Sequence, residues 1–315
     1  VANQSIMWGV ILAVAVALLT GLVFHVERKE YLVYSKGIIL VTGASTGIGR
    51  DAAEYLSKNT GFLVLAGVRK ESDYQNILET NKQMLPFMVD VVSHESCVNA
   101  VAKIQELTEK YNLPFVGLVN NAGIGGNFSP LEYQDMEFAR TLFDTNVFGL
   151  LDLTQQALPL LRASQGRVVM ISSLSGLFAI PLSGIYSASK FALEALSDTL
   201  RRELIVHNVS VSVVEPGYVK TAIIKTSLKS VQQQSSEMLA LYPNAAVSKR
   251  EGMAVMMDSM PGPEVTTTPA IVHALTSAFP KTRYPVAQRA SGLEARVLTW
   301  VSWILSDRIK DMIFK

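Results

Sequence analysis

Short apolar runs and longer stretches of mixed polarity alternate along this chain. The runs Ile38–Val41, Phe62–Val68, Phe87–Val89, Phe115–Val119, Val168–Ser172 and Val209–Val214 are rich in valine, isoleucine and phenylalanine, and 15 or more residues separate them. Such runs read as buried strands. Between them, Arg50–Lys58, Glu95–Tyr111 and Tyr186–His207 carry apolar residues at helical spacing. Strands alternating with helices predict a parallel sheet covered on both faces. Residues 222–268 break the rhythm with Gln232–Gln234, Pro243, five methionines and Pro261-Gly262-Pro263, which predicts an irregular lid or binding loop.

Two apolar stretches flank this pattern. Residues 6–24, IMWGVILAVAVALLTGLVF, contain no charge, and a helix of that length spans about 28 Å, the thickness of a bilayer core. Residues 1–5 lack the positive charge of a cleavable signal, and no small-x-small cleavage pattern follows, so a retained anchor is expected. A buried terminal core helix is the competing explanation, though one so uniformly apolar is unusual. Arg28 and Lys29 follow the run and nothing charged precedes it, which places the remaining chain on the cytoplasmic side. Near the other end, Leu293, Val297, Trp300, Val301 and Ile304 fall at helical spacing beside Trp303, with Arg296, Arg308 and Lys310 at polar positions. This reads as an amphipathic helix, at a membrane interface or packed on the body.

Composition sharpens the picture in three respects. Apolar residues make up 49% of the 315 and charged ones 17%, so the chain is more apolar than an ordinary soluble enzyme. Lysine and arginine number 28 against 27 acids, and no basic stripe exists to neutralise a run of phosphates, which argues against nucleic acid. Cys97 is the single cysteine, and His25, His94, His207 and His273 lack metal-ligand spacing. The sequence therefore points to chemistry without an internal disulfide or a metal.

Ile38–Val41 leads into Thr42-Gly43-Ala44-Ser45-Thr46-Gly47-Ile48-Gly49 and then a helical stretch. A glycine turn between a strand and a helix N-terminus brings backbone N–H groups against a pyrophosphate, favoured by the helix dipole. Its G-x-x-x-G-x-G spacing departs from the commoner dinucleotide fingerprint. The same residues also fit the Gly43-x-Ser45-x-Gly47 nucleophile elbow of an α/β-hydrolase, with Asp198 and His207 or His273 as nominal partners. Against this, the turn follows the first strand and no oxyanion segment precedes it. About twenty residues on, where an NAD site carries an acid, stands Ala66-Gly67-Val68-Arg69-Lys70. Gly67 offers no carboxylate and Arg69 offers a fork for a 2′-phosphate, so NADP(H) is favoured, with NAD(H) left open. Arg69 also reads as an ordinary solvated charge.

Tyr186 and Lys190 lie four residues apart at the start of a helical stretch, and Ser173 ends the strand upstream. With these residues the sequence resembles a short-chain dehydrogenase/reductase from Gly37 to about Pro285. Asn120-Asn121-Ala122-Gly123 is similar to the family element beside the cofactor, and Asp90-Val91 to its adenine-contacting pair. Asn146 matches the fourth catalytic residue, and Pro216-Gly217, with Val219 and Thr221, the segment that holds the nicotinamide carboxamide. The N-terminal run, Arg283–Val286 and Asp307-Arg308 look most like the membrane-bound retinol and hydroxysteroid dehydrogenases.

The resemblance implies a doubly wound Rossmann α/β fold with a mainly parallel sheet of about seven strands. Its expected organisation is an anchor and linker in residues 1–30, a catalytic domain in 31–290 with a lid in 221–268, and an amphipathic helix in 291–315. The implied cofactor contacts are Gly43, Ser45, Thr46, Gly47, Ile48, Gly49, Arg69, Asp90, Val91, Asn120, Ala122, Gly123, Tyr186, Lys190, Pro216, Gly217, Val219 and Thr221. Tyr186 would serve as acid and base, its phenol lowered by a protonated Lys190 that also holds the nicotinamide ribose; Ser173 would bind the substrate oxygen and Asn146 a relaying water. Leu177, Phe178, Ile180, Leu182 and the lid methionines suit a greasy ligand or a core beneath the loop. The expectation is a hydride-transferring oxidoreductase for a lipophilic alcohol or ketone, retinoid or steroid-like, in lipid metabolism. It would sit on the endoplasmic reticulum membrane in contact with lipid, and a homodimer is left open. The hydrolase and a silent dinucleotide-binding scaffold are the rivals.

Overall fold

In a computed structural model of the chain, the described residues are 29–221, 223, 236–242, 260–286 and 308–309. Strands β1 (Lys36–Thr42), β2 (Gly61–Val68), β3 (Leu85–Met88), β4 (Phe115–Asn120), β5 (Arg167–Ile171), β6 (Ser210–Pro216) and β7 (Arg283–Val286) form one sheet in the order β3-β2-β1-β4-β5-β6-β7. Every neighbouring pair is parallel. The helices are α1 (Gly47–Asn59), α2 (Glu71–Thr80), α3 (His94–Tyr111), α4 (Met136–Phe143), α5 (Gly149–Ser164), α6 (Gly184–Glu203), α7 (Ser236–Leu241) and α8 (Thr267–Thr276). The doubly wound Rossmann expectation holds, including the seven strands.

The strand periodicity explains the two layers. Successive side chains of a strand face opposite ways, so Ile38 and Leu40 of β1 join Cys97, Ile104, Leu150, Leu153 and Leu193 from α3, α5 and α6. Ile39 and Val41 face the other way, onto Ala52, Ala53 and Leu56 of α1, Ile77 of α2 and Ile271 and Leu275 of α8. β4 and β6 are buried along their whole length; β4 accordingly reads as a nearly continuous apolar run, whereas β6 buries Ser210, Ser212 and Glu215 among its valines. Each fully buried leucine or isoleucine contributes roughly 1.5–3 kcal/mol.

The boundaries differ from the sequence reading in ways that matter for the site. α1 begins at Gly47, inside the glycine turn, and not at Arg50. β5 ends at Ile171, and Ser173 instead caps the short 3-10 turn Leu174–Gly176, its hydroxyl accepting the Ser175 N–H. In the expected lid, the described residues include α7 and the 3-10 turn Pro263–Val265, and α8 begins before the expected end of the lid. Met238 and Met260 are buried; Met253, Met256 and Met257 lie outside the described residues. The expected anchor, residues 6–24, also lies outside them, as does most of 291–315. Among the described residues no helix is long and apolar enough to cross a membrane.

The sheet order reverses between β1 and β4, one running on to β2 and the other to β5. In open parallel sheets, ligands bind outside the carboxyl ends of the strands at such a switch point.

Candidate active site

The turn leaving β1 needs glycine for backbone reasons. Gly43 and Gly47 have φ of 64° and 61°, a region that side chains with a Cβ rarely enter. At Gly49 a Cβ would lie 2.3 Å from Asn121 Nδ2 and 2.6 Å from the Gly43 carbonyl oxygen. The turn is therefore closed from behind by the end of β4. Thr42, fully buried, is the junction: its Oγ1 donates to the Val119 carbonyl at 3.2 Å and accepts the N–H groups of Asn121 and Ala122 at 3.0 and 2.9 Å. Asn121 Nδ2 in turn donates to the carbonyls of Thr42 and Gly43 at 2.8 and 3.2 Å.

The helix that follows is suited to an anion. Thr46 makes no side-chain cap, and the first turn of α1 carries no acid, so the helix itself sets no carboxylate against the positive end of its dipole. Thr221, from the segment after β6, comes to 3.3 Å from where a Cβ of Gly47 would sit. The β1 and β6 segments thus meet over the switch point, as the motif spacing implies. Ser45 joins no hydrolytic triad. Asp198 is bound to Arg201 and Arg283, His273 Nδ1 lies 2.8 Å from the Tyr284 hydroxyl, and His207 sits beyond the C-terminus of α6, at the opposite end of the sheet.

Other expected contacts are placed as follows. Arg69 is exposed just beyond β2. A Cβ at Gly67 would lie 3.0 Å from the Val41 carbonyl oxygen and from Val89 Cγ1, so packing disfavours any side chain there. Asp90 Oδ1 accepts the Val92 N–H at 3.1 Å, shaping the turn after β3, and Val91 is buried. Asn120 is fully buried and donates to Thr154 Oγ1 at 2.7 Å. It tethers β4 to α5. Gly217 donates its N–H to the Val286 carbonyl at 2.9 Å, and Val219 is buried behind the segment.

Ser173, Tyr186 and Lys190 converge beyond β5. Lys190 Nζ lies 5.8 Å from the Tyr186 ring centre and donates to the Ile171 carbonyl at 3.0 Å, leaving donors to spare. The Ser173 hydroxyl lies 3.3 Å from the Pro216 carbonyl, to which it donates. Burial pushes the Tyr186 phenol up, and Ser173 pulls it partly back. Burial also lowers the Lys190 ammonium to about 8, against the pull of Glu194 one turn further on. Desolvation thus dominates at Tyr186 over the lowering expected from Lys190.

Asn146 lies in a π-helical segment, Asp144–Phe148, between α4 and α5, an irregularity frequent at functional sites. Its amide is engaged on both sides: Oδ1 accepts the Ile124 N–H at 2.8 Å, and Nδ2 donates to the Ile124 carbonyl at 3.0 Å and reaches Ser189 Oγ at 3.4 Å. Through these bonds it holds the loop after Gly123 against the catalytic helix. Sequence reasoning gave no role to Gly126, whose Cβ would lie 2.8 Å from Tyr186 Cβ, and gave Leu182 only a place in the apolar lining. Leu182 has φ of 66°, its carbonyl accepting the Ser129 N–H at 3.0 Å. A bulky residue in that region costs about 1–3 kcal/mol and marks an imposed conformation, here just ahead of Tyr186.

Behind Lys190 lies a charge cluster that the sequence did not announce. Arg283, at the start of β7, meets Glu194, Glu215 at 2.7 Å and Asp198 at 3.0 Å. Burial, with Glu194 nearby, raises the Glu215 carboxyl to about 7 despite Arg283. Glu194 is raised as well, chiefly by burial. Burial also opposes the Asp198 charge, but Arg201 and Arg283 hold it below the usual carboxylate range.

Comparison with known proteins agrees with this geometry. The family model for short chain dehydrogenases matches residues 37–232. Human retinol dehydrogenase 16 is 32% identical over 300 residues, covering 93% of this chain and 92% of its own. Actinorhodin polyketide ketoreductase with NADPH shares the fold at TM-score 0.65 and 23% identity, covering 80% of this chain and 96% of its own. A short chain dehydrogenase/reductase from Burkholderia phymatum in complex with NAD does so at TM-score 0.64 and 21% identity, covering 77% and 88%.

Proposed function

The chain belongs to the short chain dehydrogenase family, and we propose that within it the protein is a membrane-anchored oxidoreductase acting on a lipophilic alcohol or ketone, retinoid or steroid-like, with NADP(H) preferred over NAD(H). The observation that carries this reading is the meeting of Ser173, Tyr186 and Lys190 with an uncapped, acid-free helix N-terminus across one sheet switch point.

The cradle fits a dinucleotide: the glycine turn presents bare backbone, with positive φ at Gly43 and Gly47 and no room for a Cβ at Gly49, and the α1 N-terminus carries no side-chain cap against a pyrophosphate. When bound, the nicotinamide supplies or accepts the hydride. Gly43 to Gly49 would hold the pyrophosphate, Arg69 the 2′-phosphate, Lys190 the ribose hydroxyls, and Gly217 to Thr221 the carboxamide. Tyr186 gives its proton to the substrate oxygen in reduction and takes it back in oxidation. Burial keeps the phenol protonated at neutral pH, the form that carbonyl reduction needs. Ser173 turns its hydroxyl from the Pro216 carbonyl to the substrate oxygen, where it stabilises developing negative charge. Asn146 keeps the 124–126 loop and the Ser189 turn in register with Tyr186.

The lipophilic substrate class rests on the apolar segment Leu177–Leu182, on buried Met238 and Met260, and on the likeness to a retinol dehydrogenase. The uncharged run 6–24 supports the anchor. Tyr186→Phe tests the mechanism. It is expected to leave cofactor affinity within about twofold and to lower turnover by several orders of magnitude, because only the proton-transferring oxygen is lost. Near-normal turnover would overturn it. A scaffold without activity would show cofactor binding and no turnover even in the wild type.

A further inference from the structure

The amino end of the sheet, opposite the site, carries exposed apolar side chains from three distant parts of the chain. Leu32 and Val33 are 50% and 48% exposed, Ile205 and Val206 44% and 79%, and Phe279 48%. Hydrogen bonds bring their segments together. Lys29 Nζ donates to the Ile205 carbonyl at 2.9 Å, the Tyr31 N–H to the Ala278 carbonyl at 2.9 Å, and buried Arg167 to the carbonyls of Leu32 and Ala274, each at 2.9 Å. Contiguous exposed apolar surface needs an occupant, and Val206 in particular contributes nothing to the core.

The geometry points to a lipid bilayer as that occupant, with the amino end of the sheet resting on the membrane surface and the catalytic end directed away from it. This rests on the anchor reading for residues 6–24. Only residues 25–28 separate that run from Lys29, and five links of extended chain reach at most about 17 Å. Lys29 is tied to Ile205, so the apolar patch stays within that reach of the headgroups. The charges around it suit anionic lipid: Arg28, Lys29, Arg202 and Lys281 stand against Glu30 and Glu203. The helices ending at this edge add cations in their last turns, Lys58 in α1, Lys110 in α3 and Arg162 in α5. Those cations also complement their own helix dipoles, which does not prevent them from facing headgroups.

The test uses the full chain on phosphatidylcholine vesicles containing a minority of phosphatidylserine, with a polarity-sensitive fluorophore on Val206→Cys or on Leu131→Cys. Leu131 is 66% exposed on the segment after β4, at the catalytic end. Native Cys97 is buried, its thiol pushed up to about 11 by burial and then by Asp152 and Asp90, so it does not compete for label. Brominated lipid should quench the Val206 label severalfold more than the Leu131 label. Equal or greater quenching at Leu131, in protein that pellets with the vesicles, would overturn this orientation while leaving the anchor intact. Protein that stays in the supernatant would overturn the anchor and the orientation together.

Discussion

The carboxyl and amino ends of one sheet are built on opposite principles. At the carboxyl end the chain places glycines with left-handed backbone, a strained Leu182, buried hydroxyls and a lysine held to about 8. At the amino end it places aliphatic side chains in the open and a buried Arg167 bound only to carbonyls among its described partners. Natural sequences violate local rules where function needs it. Left-handed backbone occurs at both ends, at Asn112, Gln165 and Asn208 where helices end at the amino edge, but only the first places a strained bulky leucine and a buried lysine beside the reaction, and the second leaves apolar surface uncovered. The shared core, with its two apolar layers, supports both.

The sharpest way to break this contrast is to remove the cation behind the site. Arg283→Ala leaves Glu194 and Glu215 buried without their guanidinium, and breaking a buried pair from one side costs about 3–5 kcal/mol. Denaturant unfolding at neutral pH should register that loss. The acid side of the cluster makes a pH prediction. The folded carboxyl of Glu215, at about 7, lies above the ordinary 4.5, so folding favours its protonated form. That contribution is whole below about pH 4.5 and is lost as pH rises through about 7. Glu215→Gln should therefore flatten the decline in stability across that window, and an unchanged pH profile would show that the proton resides elsewhere.

Arg69→Ala should act on affinity alone. A charge-assisted bond is worth roughly 1.5–3 kcal/mol, so NADPH affinity should fall about tenfold to a hundredfold while NADH affinity hardly moves. Equal losses would make Arg69 an ordinary surface charge and would leave the Tyr186 chemistry untouched. Ser45→Ala should weaken cofactor binding by about 1 kcal/mol, one neutral hydrogen bond; a hydrolase would instead lose all ester cleavage. The smallest effect belongs to the other end of the sheet. Val206→Asp, at a position 79% exposed, should change the stability of the protein in detergent by no more than about 0.5 kcal/mol.

The catalytic end was far more legible in the sequence than the amino end, for a physical reason. Tyr186 and Lys190 share a helix face through i,i+4 spacing, and a glycine turn must be contiguous to wrap a phosphate, so chemistry of this kind leaves a local trace. Six of the seven strands were legible as well, as short runs rich in valine, isoleucine and phenylalanine; β7, Arg283–Val286, carries no such run, and the seventh strand came only with the resemblance. What escaped was assembled by topology. Thr42 and Asn121 lie 79 positions apart, and Arg283 meets Glu194 across 89; no local pattern links them. Residues 29–33, 205–206 and 279 become neighbours only because loops feeding β1, β6 and β7 share one edge. Asn146 was found by its motif, but no sequence pattern shows that both ends of its amide are engaged by Ile124.

The central claim is that the carboxyl end of the sheet transfers hydride to and from a greasy substrate. Full-length protein in vesicles, supplied with NADPH or NADH and a panel of retinoid and steroid carbonyls, tests it through the absorbance of the reduced nicotinamide. The account predicts carbonyl-dependent oxidation of NADPH, faster than that of NADH and abolished in Tyr186→Phe. Cofactor that binds tightly and is never turned over with any carbonyl, or turnover that survives the loss of the Tyr186 hydroxyl, would contradict it.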